Sequence, residues 1–453
     1  MEKGTIIELH IDDMSSDGNG IGRTDGQVVF VSGCVKGDTV RARIAKAKKN
    51  YALADRLEIT EPSELRGEDF CPYSGECGGC PLGGLRYDAQ LRIKEGWVRD
   101  KLSRLGGIRD PKVLPIIGMD SPFGYRNKAE FKVGPNGEVG FFARKTHTVR
   151  DCPDCRIQRD EVMGAADGLR SYLADYGNRG KISGMTVKMS FGTGEMMAVL
   201  DAGTEDVPHL EELCEYMNEG SGYNLESIFI NEELVAGRSI IRDEAEGLKF
   251  EISRDSFYQV NPVQTVKLYN KAVEYADIKE GQTVLDLYCG VGTIGLLAAK
   301  TVGNDGLVLG IETIKQAVLD ANRNSVINGI VCTRYIQGKA EEELPAVLGI
   351  RPKMGYDGEN RLVPKEPVIK IDHADVVFLD PPRAGCDEKL LEAVVEAGPD
   401  RIVYVSCDPA TLARDVKYLG ERGYLFREAQ PVDMFCHTVH VETVVLMSRV
   451  EGK

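Results

Sequence analysis

From about residue 258 onward the chain alternates short, almost wholly apolar runs with helical patterns, and no other feature limits its fold as much. Candidate strands lie at 283–287, 307–311, 333–337, 376–379 and 402–405, with helical patterns at 291–300, 314–328, 387–397 and 410–419. Strands that are apolar on both faces and separated by helices build a parallel sheet covered on both sides. Two more strands, near 427–432 and 442–447, close the chain, and a polar insert at 349–370 reads as a surface excursion. Such sheets hold their ligands beyond the C-terminal ends of the strands. Chemistry is therefore sought at those ends.

The first end carries Asp286-Leu287-Tyr288-Cys289-Gly290-Val291-Gly292-Thr293-Ile294-Gly295. By letter, Gly290, Gly292 and Gly295 fit a dinucleotide fingerprint, with Glu312 at the end of the next strand. Asp286 argues for a different ligand. A carboxylate just before the turn repels a pyrophosphate at the helix N-terminus, whereas S-adenosylmethionine has no phosphate and carries an ammonium and a sulfonium. S-adenosylmethionine is the preferred cofactor, with Glu312 accepting its ribose hydroxyls. A nicotinamide dinucleotide is the rival.

Later ends carry Asp380-Pro381-Pro382-Arg383-Ala384-Gly385, then Ser406-Cys407-Asp408-Pro409, then His440-Val441-Glu442. Asp-Pro-Pro followed by an aromatic residue is a signature of amine methylation, and Arg383 in that place weakens this reading. A cysteine between a strand end and a helix start is placed for a thiol pKa lowered by the helix dipole, hence for nucleophilic work. The bland alternatives are a small buried Cys407, a helix-capping Asp380 and a solvent-facing Glu442.

The rest of the chain differs in texture. Residues 1–60 show short β-rich runs (5–11, 27–31, 39–45) around a glycine loop at 18–23, the pattern of a small closed barrel. An amphipathic helix is predicted over 87–105. The stretch 122–248 mixes strands (186–189, 196–200, 227–230) with helices (161–176, 207–217), an α+β texture. The division is thus 1–60 barrel, 61–250 central region and 251–453 cofactor-binding α/β domain. No run approaches the length of a membrane span, and the N-terminus shows no apolar leader, which points to a reducing cytoplasm.

A net charge of −15 argues against nucleic acid as a partner for the chain as a whole. The stretch 36–56 is different: Lys36, Arg41, Arg43, Lys46, Lys48, Lys49 and Arg56 stand against Asp38 and Asp55, a local net of +5. Its lysines either protect a strand edge or track a phosphate backbone. The 12 cysteines are too few for a disulfide scaffold. Cys71, Cys77 and Cys80 form a C-x5-C-x2-C run needing a fourth ligand, for which Cys152 and Cys155 are candidates; zinc and an iron–sulfur cluster both suit four thiolates.

Together, the Asp380, Cys407 and Glu442 motifs and Phe257-Tyr258-Gln259-Val260-Asn261 resemble the S-adenosylmethionine-dependent RNA uracil-5-methyltransferases. The resemblance spans nearly the whole chain, since the N-terminal strands look like that family's TRAM barrel and the cysteine run also fits. It implies a multidomain fold: a TRAM/OB-like β-barrel, an α+β central domain with an iron–sulfur loop, and a Rossmann-like methyltransferase domain. It further implies Cys407 as the thiolate adding to uracil C6, Glu442 as the general base that removes the C5 proton, and Gln259, Tyr288, Glu312 and Asp380 as cofactor contacts beside Gly290 and Gly292. Thr293 stands where the family often has Asn. Arg126 matches an RNA-contact position, Phe257 is the candidate to fill the space left by a flipped base, and Lys46, Lys48 and Lys49 belong to the RNA-binding face. The resemblance favours a [4Fe-4S] cluster over zinc, and Cys155 over Cys152 as its fourth ligand. The expected substrate is a uridine of 23S ribosomal RNA, handled by a monomer without membrane contact. The alternatives are a tRNA substrate or a non-catalytic RNA-binding assembly factor.

Overall fold

The computed structural model describes residues 1–450 apart from 205, 224 and 357–360. Strands β1 (Ile6–Met14), β2 (Gly20–Thr24), β3 (Gln27–Ser32), β4 (Thr39–Ala47) and β5 (Tyr51–Glu61) close into a barrel in the order β1-β2-β3-β5-β4. Leu9, Ile11, Val29, Val31, Val40, Ala42, Ile44, Ala52 and Ala54 fill it, and the alanines let so narrow a barrel close. Two expectations are corrected here. The glycines expected in a loop at 18–23 partly lie in β2, because a Cβ on Gly22 would collide with the carbonyl oxygen of His10 on β1. Strand β5 went unread because only its first residues alternate buried and exposed; the remainder is mostly exposed and charged.

Helix α1 (Tyr87–Arg104) follows the cysteine loop. Then β6 (Lys128–Val133), β7 (Val139–Phe142), β8 (Val149–Asp151), α2 (Asp160–Tyr176), β9 (Ile182–Met189), β10 (Met196–Ala202), α3 (Leu210–Ser221), β11 (Leu225–Ile230) and β12 (Glu233–Gly237) build a sheet ordered β12-β11-β10-β9-β6-β7-β8, its core shared with α2 and α3. A hairpin, β13 (Ile240–Ala245) and β14 (Leu248–Ser253), leads to α4 (Pro262–Ala276).

The C-terminal part runs β15 (Thr283–Leu287), α5 (Thr293–Val302), β16 (Leu307–Glu312), α6 (Lys315–Ile327), β17 (Thr333–Gln337), α7 (Ala340–Val347), β18 (Lys353–Tyr356), β19 (Leu362–Lys365), β20 (Val376–Leu379), α8 (Glu388–Ala397), β21 (Arg401–Ser406), α9 (Pro409–Gly420), β22 (Tyr424–Val432) and β23 (Glu442–Arg449). The sheet order is β17-β16-β15-β20-β21-β23-β22. The first five strands are parallel, and β23 is antiparallel to both its neighbours. The insert expected at 349–370 holds the β18–β19 hairpin, and its residues 357–360 lie outside the described residues.

Packing does not follow a linear division at residue 250. Val98 and Leu102 of α1, and Val113 after it, share a core with Leu287, Leu379 and Tyr404 of the large sheet. Val113 and Ile117 bridge to Ala429 and Val432 along the edge strand β22. The β13–β14 hairpin, which straddles residue 250, buries Ile241, Phe250 and Ile252 with residues of α4 and α5. Among the described residues no helix is long and apolar enough to cross a membrane.

Candidate active site

Strand register assembles the site. Leu287 pairs with Leu379, Leu379 with Tyr404, and Ser406 with Thr443. Tyr288, Asp380 and Cys407 each follow their strand's last residue, and Glu442 opens β23 beside them. Four separated stretches of sequence thus meet at one edge.

The glycine turn is built as its spacing required. Gly292 has φ +84°, and a Cβ there would stand 2.7 Å from the Tyr335 hydroxyl; Gly290 has φ +55° and faces open space. Tyr288 between strand and turn takes φ +67° without being glycine, a strained conformation of the kind found at ligand sites. The Gly290 amide donates to Glu312 Oε2 (3.1 Å), and the Ile314 amide donates to Glu312 Oε1 (2.9 Å). Asp286 Oδ2 accepts from the Gly295 amide at 2.8 Å, while its Oδ1 is buried without a partner.

Three carboxyls crowd this end of the sheet. Burial pushes Asp286 up to about 7. Burial and then the charge of Asp286 push Asp380 up to about 7, and burial and then Asp380 push Glu442 up to about 8, with Arg383 opposing. Tyr269 lies buried beside all three and hydrogen-bonds the Gln259 side chain. Such a site favours a cation, which would relieve the mutual repulsion.

Cys407 corrects an expectation. Its thiol is pushed up to about 11, first by burial, then by Glu442, with Arg383 opposing and Asp380 adding to the rise. The helix start does not lower it, because Asp408 caps α9 and accepts the Ala410 and Thr411 amides at 2.8 and 3.0 Å. Those are the donors that would otherwise stabilise a thiolate.

Arg383 and His440, the motif residues to which no site role was assigned, stand against each other beside these groups. Arg383 Nη2 donates to His440 Nε2 at 3.1 Å, and burial with that cation lowers the imidazole pKa to about 4. His440 is therefore neutral near pH 7. Tyr269 was missed because a tyrosine on the apolar face of α4 carries no signal distinguishing it from core.

The remaining expected residues divide. Phe257 is 60% exposed, on a loop pinned by Lys188, whose Nζ donates to the Ser256 carbonyl at 3.1 Å. Thr293, at the start of α5, lines a cavity of about 250 Å³ with Phe250, Tyr258, Thr265, Tyr269 and Leu297. Arg126 has a buried Nε without a partner, and its charge acts on Cys80, Cys155 and His440, which places it between the cysteine loop and the cleft. Lys46, Lys48 and Lys49 are exposed at the end of β4 and the turn after it. The barrel meets the site elsewhere, with Gly18 against Pro81 and Val439.

The cysteines converge electrostatically: Cys71, Cys77 and Cys155 each raise the Cys80 pKa. The Tyr73 amide donates to Cys71, the Gly79 amide to Cys77, and the Ile157 and Gln158 amides to Cys155. Cys152 hydrogen-bonds Cys155 and holds its pKa down. Among the described residues, however, no three or more His, Cys, Asp or Glu side chains are arranged to hold a metal ion.

Comparison with known proteins fits this geometry. Residues 223–450 match the family model tRNA (Uracil-5-)-methyltransferase. The chain belongs to that family. It is an RNA uracil-5-methyltransferase, and residues 1–57 match the TRAM domain. An uncharacterized RNA methyltransferase of Caldanaerobacter subterraneus is 39% identical over 99% of both chains, and one of Clostridium acetobutylicum is 37% identical over 100% of this chain and 98% of its own. The solved structure of Pyrococcus abyssi tRNA (uracil-54, C5)-methyltransferase in complex with S-adenosyl-L-homocysteine has TM-score 0.74 at 25% identity, covering 97% of this chain and 100% of that one.

Proposed function

We propose that this methyltransferase modifies C5 of uridine in 23S ribosomal RNA through a covalent bond between Cys407 Sγ and C6 of the base. The observation that carries the reading is the Ser406–Thr443 pairing, which sets a thiol and a buried carboxyl side by side at the strand ends. Thiolate addition makes the S–C6 bond and moves the C5–C6 electron pair toward the C4 oxygen. S-adenosylmethionine, when bound, supplies an electrophilic methyl on a sulfonium. C5 takes that methyl while the departing sulfur keeps the bonding pair. Glu442 then removes the C5 proton, the C5–C6 double bond re-forms, and the Cys407 thiolate leaves with its electrons. Asp380, Gln259, Tyr288, Gly290, Gly292, Thr293 and Glu312 hold the cofactor. Lys46, Lys48, Lys49 and Arg126 meet the RNA, and Phe257 fills the stack vacated by the flipped base.

The family resemblance favours ribosomal RNA, because it implies that the tRNA-directed branch usually lacks the four-cysteine cluster, although some cluster-bearing members act on tRNA. The Pyrococcus abyssi relative supports tRNA as the second reading. Methylating 23S and tRNA transcripts with labelled cofactor decides between them: label is expected in 23S RNA, and label confined to tRNA would overturn the choice.

Cys71, Cys77, Cys80 and Cys155 are the residues that would hold a [4Fe-4S] cluster, as the family resemblance implies. The fit is one of donor chemistry, four thiols with amide donors aimed at three of them. Because methyl transfer moves no electrons through the protein, the cluster's part is structural or RNA-binding. Protein purified without oxygen is expected to show a broad visible absorption and equal amounts of iron and sulfide; colourless protein containing zinc would refute the assignment.

A further inference from the structure

We infer that the buried ion pair Lys94–Asp433 is a positioning device for Glu442, acting through the loop 433–441 that joins β22 to β23. The inference rests on the reading of Glu442 as the base. Val432 and Glu442 are paired across the mouth of this loop, so the loop's shape fixes where the Glu442 carboxyl stands.

Little in the loop is left to its own turns. Lys94 Nζ donates to Asp433 Oδ1 at 2.6 Å and to the Phe435 carbonyl at 3.0 Å, and both side chains of the pair are wholly buried. The Tyr87 hydroxyl donates to Asp433 Oδ2 at 2.8 Å. Further along, the Asn261 amide holds the Met434 carbonyl at 3.0 Å and the Tyr125 hydroxyl holds the Cys436 carbonyl at 3.0 Å. His437, at φ +67°, is gripped by Gln90, which accepts from its backbone N–H and hydrogen-bonds its Nδ1, and its own carbonyl accepts from the Leu82 amide. Asn261 serves also as N-cap of α4, which connects the loop to the segment carrying Phe257 and Gln259.

A buried lysine–carboxylate pair contributes little net stability compared with apolar residues of the same volume. What it provides here is direction. One ammonium fixes the first and third residues of the loop at once, from a helix more than three hundred positions away in sequence. Methyl transfer requires Cys407 and the cofactor. Only the later removal of the C5 proton requires Glu442 to be placed to a fraction of an ångström, where an error of 1 Å costs up to about 100-fold.

The test uses full-length Lys94→Met and, so that an unpaired buried Asp433 does not simply unfold the chain, the double variant Lys94→Leu/Asp433→Leu. RNA carrying [5-²H]uridine reports the proton-removal step. The expected result in both variants is a turnover about 10- to 100-fold lower, a primary isotope effect absent from the native enzyme, and an SDS-stable RNA–protein adduct that accumulates with its methyl already in place. Loss of activity with a native isotope effect and no adduct, or native turnover in the double variant, would sink the inference. Glu442→Gln run alongside separates the two claims. If it fails to trap methylated adduct, the reading of Glu442 falls and the inference with it; if it traps adduct while the Lys94 variants do not, only the inference falls.

Discussion

Cys407→Ala is expected to lose turnover by about 10⁴- to 10⁶-fold, the scale seen when a catalytic nucleophile is removed, while binding of RNA and cofactor stays near native. The loss is that large because uracil C5 is too weak a nucleophile to attack a sulfonium methyl until a group has added at C6. No SDS-stable RNA adduct should form under any conditions, and 5-fluorouridine RNA, which traps the native enzyme because its fluorine cannot leave as a proton does, should fail to trap the variant. A variant that methylates at a native rate would refute the covalent route. The native thiol, pushed up to about 11, adds a pH signature. With burial and two carboxyls opposing ionisation, and only Arg383 and a backbone hydrogen bond assisting it, the rate of adduct formation should climb with pH from 7 to 9. Arg383→Gln should slow it further at every pH in that range, since the variant removes the one cation that lowers both Cys407 and Glu442.

The strand-end residues were legible because the chemistry is local there. A glycine turn after an apolar run, an Asp-Pro-Pro and a Ser-Cys-Asp-Pro each mark a strand end by their own letters, and β15 and β20 lie where their apolar runs placed them. The sequence beside Cys407 already argues against a lowered thiol pKa. Asp408 followed by Pro409 is a helix cap with proline at the first position, so the amides that were to stabilise the thiolate were already committed. Other features depend on partners distant in sequence. Nothing in residues 87–117 says that their apolar face belongs to a sheet formed three hundred residues later. The side-by-side placing of Asp286, Asp380 and Glu442 exists only once the parallel register is set, and Tyr269 and Lys94 look like ordinary helix residues until their buried partners are known.

Glu442→Gln is expected to lower steady-state turnover by about 10²- to 10⁴-fold, the usual contribution of a general base, and to do so after methyl transfer rather than before it. Methylated RNA linked to the protein through Cys407 should therefore accumulate to about one equivalent, visible as an SDS-stable band that carries the cofactor's labelled methyl. A band without label would place the block earlier and assign Glu442 another role. The same substitution has an opposite consequence for the fold. The Glu442 carboxyl is pushed up to about 8 in the folded chain by burial and Asp380, above the value of about 4.3 for an exposed glutamate. A carboxyl raised on folding stabilises the fold fully only below its unfolded pKa, and that contribution is lost as pH rises through the folded value. Between pH 5 and 8 the native protein thus increasingly pays to keep this acid buried, and Gln, which never ionises, does not. The melting temperature of Glu442→Gln should accordingly exceed that of the native enzyme by a few degrees at pH 8.5 and converge with it near pH 4.5, so that one residue slows the chemistry when replaced and destabilises the fold when present.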